Sequence, residues 1–227
     1  MEKIILLALI LMLSLGTIST VSAEILEDIY YDEGVSYFNN RDFSKSVEAF
    51  SKVIEINDKN AKAYYNRGTA YASQNQLDNA ILDFSTAINL NPDYIMAYYN
   101  RGSLYSKQNQ FDEAIEDFST VIKLNPNHPA AYNNRGNVYD KQNQFDKAIA
   151  DFSATIKLDP DRPIAYYNRG NVYVKINQFE KAIIDFSTVI KLDSTYANAF
   201  NARGLAYKKL GNNKAAERDF YIYEKLK

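Results

Sequence analysis

The chain has 227 residues, 46% of them hydrophobic and 24% charged, with a net charge of −2 and no cysteine. This composition supports a packed core and excludes disulfides, zinc–thiolate sites, cysteine nucleophiles and a lipid-modified cysteine. The near-neutral charge argues against broad nucleic-acid binding, which needs a basic surplus.

The N-terminus differs from the rest. A weak basic start at Lys3 precedes an apolar run from Ile4 to Leu15, broken only by Ser14, and then the small-residue stretch Val21-Ser22-Ala23. This is the layout of a secretory signal peptide, with cleavage expected after Ala23. The apolar run is shorter than the ~20 residues that span a bilayer, although Gly16 to Val21 could extend it to a marginal anchor. Cleavage makes the mature chain periplasmic or secreted. Retention leaves it membrane-anchored, facing out of the cytoplasm.

Beyond the leader the chain repeats itself. Asn66-Arg67-Gly68 returns as Asn100-Arg101-Gly102, Asn134-Arg135-Gly136 and Asn168-Arg169-Gly170, and, altered, as Ala202-Arg203-Gly204, always 34 residues apart. The glycine column begins at Gly34. Four residues before each glycine stands an aromatic (Tyr30, Tyr64, Tyr98, Tyr132, Tyr166, Phe200), and three after stands a tyrosine (Tyr37, Tyr71, Tyr105, Tyr139, Tyr173, Tyr207). Twelve after comes Ser46, then Ala80, Ala114, Ala148, Ala182 and Ala216. Phenylalanine follows four later, at 50, 84, 118, 152, 186 and 220, and Pro92, Pro126 and Pro160 close three units.

The apolar spacing in Ala80-Ile81-x-x-Phe84-x-x-Ala87-Ile88 is that of a helical stripe. Tyr64, Gly68 and Tyr71 share one face of the preceding helix, so each unit reads as a helix hairpin whose leftover apolar face is covered by the next. Asn75, Asn109, Asn143, Asn177 and Gly211 share a column at the end of the first helix, where a left-handed cap is expected. Asn91-Pro92 and Asn125-Pro126 stop the second helix. In the last unit Glu217 and Glu224 replace isoleucine or valine columns, a polar outer face suited to a terminal repeat.

Each unit resembles a tetratricopeptide repeat, which carries an aromatic, Gly, Tyr, Ala, Phe and Pro in this order within 34 residues. The resemblance covers Glu27 to Lys227; the family's usual first Trp is here Tyr or Phe. It implies an all-α fold, a right-handed superhelical solenoid of stacked antiparallel helix hairpins. The repeats are expected at 27–60, 61–94, 95–128, 129–162, 163–196 and 197–227, behind a signal peptide or anchor at 1–23.

The arginine column (67, 101, 135, 169, 203) is matched sixteen residues later by aspartates (83, 117, 151, 185, 219), and both vanish in the first unit, as Glu33 and Ala49. Their joint loss points to a pair tying the two helices of a unit, rather than to arginines aimed at acidic ligands. In this architecture the first helices line the concave surface. Tyr31, Tyr65, Tyr99, Asn133 and Tyr167 form one column expected there, Asn66, Asn100, Asn134 and Asn168 a second, and Thr69, Ser103, Asn137 and Asn171 a third. Amides both donate and accept, which suits the backbone of an extended peptide, and tyrosines add flat contact area. The lysine-based clamp by which some members of the family hold chaperone C-termini is not matched: Tyr and Asn stand there, with Lys62 alone. Lys107, Lys141, Lys175 and Lys209 form a basic row near the first-helix C-termini, where lysine suits the helix dipole.

No catalytic order, metal cluster or phosphate loop is found, and the lone His128 lies in a turn between units. The chain is therefore expected to be a non-catalytic scaffold without cofactor. Its partner would be a protein or peptide, not nucleic acid, and a membrane only if the leader is retained. The alternative is a membrane-anchored structural subunit of a bacterial envelope assembly or secretion complex. Phe220, Tyr221 and Tyr223 leave aromatic surface for self-association as a homo-oligomer.

Overall fold

The structure, a computed structural model, describes residues 20–227. The apolar leader, and with it most of the expected signal segment, lies outside the described residues. Among the described residues there are twelve helices and no strand: α1 Thr20–Asn39, α2 Phe43–Ile56, α3 Ala61–Ser73, α4 Leu77–Leu90, α5 Ile95–Lys107, α6 Phe111–Leu124, α7 Pro129–Lys141, α8 Phe145–Leu158, α9 Pro163–Lys175, α10 Phe179–Leu192, α11 Ala197–Lys209 and α12 Asn213–Leu226. The described residues form two compact units, divided between Leu104 and Tyr105. In the first, α1 packs on α2, α3 on α4, and α2 on α3. In the second, α7–α8, α9–α10 and α11–α12 are hairpins, and α6, α8 and α10 each pack on the first helix of the hairpin that follows.

The reversals between paired helices come from the asparagine column. Asn75, Asn109, Asn143 and Asn177 have φ near +60°, and Gly211 has φ +76°. Asn and Gly tolerate this left-handed geometry best. Arg41 takes the same conformation in the first hairpin, φ +60°, where no asparagine marks it. The turn then closes back on the tyrosine column: the backbone N–H of Gln76, Gln144 and Gln178 donates to the carbonyls of Tyr71, Tyr139 and Tyr173 at 2.8–2.9 Å. At the other end, α4 stops at Leu90 and Asn91 is extended, a conformation that the following proline favours and that Asn57 and Asp193 take without one.

Hairpins close on a small-against-large contact. Phe50, Phe84, Phe118, Phe152 and Phe186 are fully buried. A Cβ added at Gly34, Gly68, Gly136, Gly170 or Gly204 would stand 2.7–3.0 Å from the ring of the same hairpin's phenylalanine. The glycine column thus lets two helices approach until a ring lies against backbone. The buried alanines, among them Ala80, Ala148 and Ala182, keep the second helix equally close. In the last hairpin Glu217 and Glu224 are exposed and Phe220 is only half-buried, so the polar column faces solvent as expected.

Gly136→Ala should therefore destabilise the second unit. Its new methyl would meet Phe152 Cε1 at 2.9 Å and Asp151 Cβ at 3.2 Å. Overpacking of this kind costs about 1–3 kcal/mol. Thermal melting should show the loss, and Phe152→Leu in the same chain should recover part of it.

Candidate functional site

The recurring arginine is built into the fold. In the first unit Arg67 Nε and Nη2 donate to the two carboxylate oxygens of Asp83, both at 2.8 Å. Its third donor, Nη1, reaches back 3.0 Å to Ser51 Oγ in the preceding hairpin. In the second unit the pattern recurs at Arg135 with Asp151 and Ser119, at Arg169 with Asp185 and Ser153, and at Arg203 with Asp219 and Ser187. The guanidinium also lies over flanking rings, 5.5 Å from Tyr64 and 5.9 Å from Tyr71 at Arg67. The hydrogen bonds of Asp83 hold Arg67 above its ordinary pKa, against the opposing effect of burial. The expected intra-hairpin pair is thus present, and it extends one helix further than its sequence signature suggested. The serine column (51, 85, 119, 153, 187) is the partner that sequence reasoning missed. It stands directly after each phenylalanine, unbroken until Tyr221.

The tyrosine and amide columns proposed for ligand contact are half-buried rather than fully exposed, and many of their groups bond to one another. Asn66 Nδ2 donates to the Tyr31 hydroxyl at 2.8 Å, and Asn100 Nδ2 to the Tyr65 hydroxyl at 3.1 Å. Where Asn133 replaces the tyrosine, Asn168 Nδ2 turns to Asn133 Oδ1 at 3.3 Å and Asn137 Oδ1 at 3.0 Å. Each of these bonds clasps one first helix to the next. The Thr69 and Ser103 hydroxyls donate to the carbonyls of Tyr65 and Tyr99 in their own helices. Tyr31 packs edge-on to Phe50, Tyr65 lies against Phe84 and Tyr94, and Tyr167 against Phe186 and Tyr196. Asn133, 9% exposed, is the buried one among these residues, and Asn171 is half-buried. Two depressions open in the first unit. One of about 100 Å³ is lined by Val35, Phe38, Phe50, Asn66 and Thr69. The other, of about 300 Å³, shares Thr69 and includes Phe84, Asn100, Ser103 and Leu104.

Models of the tetratricopeptide repeat match residues 27–60, 95–128, 49–81 and 118–150, and a model described as TPR repeat matches 68–109, 136–177 and 170–211. The chain belongs to the tetratricopeptide repeat family. Similar solved structures include YrrB, described as a TPR protein with an unusual peptide-binding site, at 24% identity and TM-score 0.69, covering 80% of this chain and 93% of that one. The MamA protein is 26% identical, with TM-score 0.71 and coverage of 76% and 94%. PilF of Pseudomonas aeruginosa is 15% identical, with TM-score 0.74 and coverage of 90% and 93%. No curated protein matches the chain.

As a tetratricopeptide repeat protein the chain is a protein–protein interaction scaffold of a typically non-catalytic family. Two other candidate features are absorbed by the repeats. His128 caps α7, its Nδ1 accepting from the Ala131 N–H at 3.1 Å. In the lysine row, Lys175 pairs with Asp140 of the preceding hairpin at 2.7 Å, and Lys141 lies 5.6 Å from the Phe111 ring centroid.

Asp151→Ala should lower the melting temperature sharply. It would leave Arg135, whose side chain is 17% exposed, without its carboxylate. Breaking such a pair from one side costs about 3–5 kcal/mol, whereas the double change Arg135→Met with Asp151→Leu should recover most of it. A second test uses Tyr94, whose phenol is pushed up to about 12 by burial and by the neighbouring Tyr65 and Tyr31. A raised phenol pKa means that folding retains a proton the unfolded chain releases. Its contribution is full below the ordinary value of about 10 and is lost as pH rises through about 12. Alkaline absorbance titration should show a late-ionising tyrosine that Tyr94→Phe removes, and that variant should lose less stability in this pH window.

Proposed function

We propose that this scaffold acts outside the cytoplasm and holds an extended segment of a protein partner against its first helices. The observation that carries the proposal is the surface chemistry of the first unit. The amides of Asn66 and Asn100 and the small hydroxyl side chains Thr69 and Ser103 border two depressions floored by Phe50 and Phe84, and the same two asparagines hold the Tyr31 and Tyr65 hydroxyls. Groups that donate and accept along a groove suit a peptide main chain, and rigid rings give contact area at low entropic cost. The clasps refine this picture. Asn66 and Asn100 spend one donor each on orienting a tyrosine, and the oriented rings form the contact surface. YrrB, described as having an unusual peptide-binding site, makes peptide recognition a reasonable assignment for this surface as well.

The location rests on the leader. Export with cleavage after Ala23 would cut within the first turn of α1 and leave Glu24–Asn39 of that helix. A second proposal keeps the leader as an anchor, since α1 runs unbroken across the Ala23–Glu24 bond; the repeats would then serve an envelope or secretion assembly. Among the described residues no helix is long and apolar enough to cross a membrane, so an anchor would draw on the apolar run from Ile4 that Gly16 to Val21 extends. Self-association would use Tyr221, which is 66% exposed.

Peptides selected on the purified chain from a random display library should lose roughly tenfold or more in affinity, about 1.4 kcal/mol, when Thr69 and Ser103 become Arg. They should keep it when the exposed Leu82 becomes Arg. Binding indifferent to Thr69 and Ser103 would move the site off this face. N-terminal sequencing of the exported protein should begin at Glu24; an intact Met1 would favour the anchored form.

A further inference from the structure

We propose that the first unit takes a proline-rich segment in the polyproline II conformation, seated across the Tyr31 and Tyr65 hydroxyls, with a Lys or Arg at the end that lies over Asp32. This rests on the peptide-binding assignment above and specifies the ligand's conformation and chemistry.

The first argument is hydrogen-bond polarity. Each of these tyrosine oxygens already accepts from an asparagine one hairpin on, Tyr31 from Asn66 and Tyr65 from Asn100. Its own proton has no acceptor among the described residues, and the bond from asparagine fixes the side on which the hydroxyl donates. The face therefore offers a spaced row of O–H donors beside aromatic rings. Proline contributes a carbonyl and no N–H, so a proline-rich segment meets such a row without stranding donors of its own. Aromatic-lined grooves are also where proline-rich segments dock, since a preformed polyproline II helix has little conformational entropy to lose.

The second argument is pitch. The two depressions lie on successive hairpins, share Thr69, and have Phe50 and Phe84 as equivalent floors. Packed helices stand ~8–10 Å apart. A polyproline II helix presents the same face every three residues, about 9.3 Å, and so places residues i and i+3 in the two depressions. A β-strand repeats its face every two residues, about 6.6 Å, and falls out of step after one rung.

The third argument is charge. Asp32 stands in the column of Asn66 and Asn100, as the first rung of the same ladder. It is exposed, has no ionic partner among the described residues, and is preceded one turn earlier by the exposed Asp28. A carboxylate at this end selects a basic residue at the terminus of the segment above it.

Fluorescence anisotropy with the purified chain tests this directly. The probes are a twelve-residue proline-rich peptide with Pro at every third position and one terminal Arg, its Glu-terminated twin, and a Thr/Val peptide of equal length with terminal Arg. The Arg-terminated proline peptide should bind roughly tenfold or more tighter than the Thr/Val peptide. Tyr65→Phe keeps the ring against Phe84 but removes both the hydroxyl and the acceptor of Asn100, and should weaken binding by a similar factor, well beyond the effect of Asn100→Ala, which removes the clasp alone. Asp32→Lys, a surface change, should reverse the preference between the Arg and Glu twins. Equal or tighter binding of the Thr/Val peptide, with the same response to Tyr65→Phe, would overturn the polyproline II assignment and leave the groove standing. Failure of both probes, while library-selected peptides still respond to Arg at Thr69 and Ser103, would also overturn this inference alone. Failure of the selected peptides too would remove the groove assignment with it.

Discussion

The guanidinium fork is the constraint on which the repeats depend. Arg135 spends two donors on Asp151 within its own hairpin and one on Ser119 in the hairpin before. Its position is defined by three helices at once. Apolar packing of Phe152 against Gly136 brings the two helices of a hairpin together, but it is tolerant of small rotations. A planar fork bonded in two directions is not, because its five donors have fixed geometry. Hydrophobic contact therefore supplies most of the adhesion, and the arginine supplies angle and register. Two charges so placed add little net stability over an apolar pair, so the gain is in the uniqueness of the stack.

Much of this was legible in the sequence because the key contacts lie a constant distance apart and change together. Glycine opposite phenylalanine is a complementary pair of columns. Arginine and aspartate vanish together at Glu33 and Ala49, which identifies them as partners before any coordinates. The left-handed asparagines announce themselves chemically; Arg41, in the same conformation, does not, since nothing in its side chain favours it. The serine column was overlooked because a serine on a helix is ordinary. Its meaning comes from lying sixteen residues before the arginine as the aspartate lies sixteen after.

The tyrosine–asparagine clasp was hidden for a different reason. Its partners are 35 residues apart, one more than the period, so comparison down a column never sets them side by side. Reading columns as separate surfaces made the asparagines look wholly available to a ligand. In the structure one donor of each bridges neighbouring first helices, and the tyrosine hydroxyl is its acceptor. The structure thus ties the candidate binding surface to the packing of the repeats: the residues that present the rings are those that hold the hairpins in line.

The fork also gives the stack a polarity. Within each unit every arginine reaches towards the N-terminus, from Arg169 to Ser153 and from Arg203 to Ser187. Peeling a hairpin away from the C-terminal side leaves behind a serine hydroxyl, which can turn to a carbonyl in its own helix or to water. Peeling one away from the N-terminal side opens a guanidinium N–H to water, while its fork to the aspartate of its own hairpin stays whole. Each hairpin thus carries its fork with it, and opening the stack exchanges a single serine bond for water.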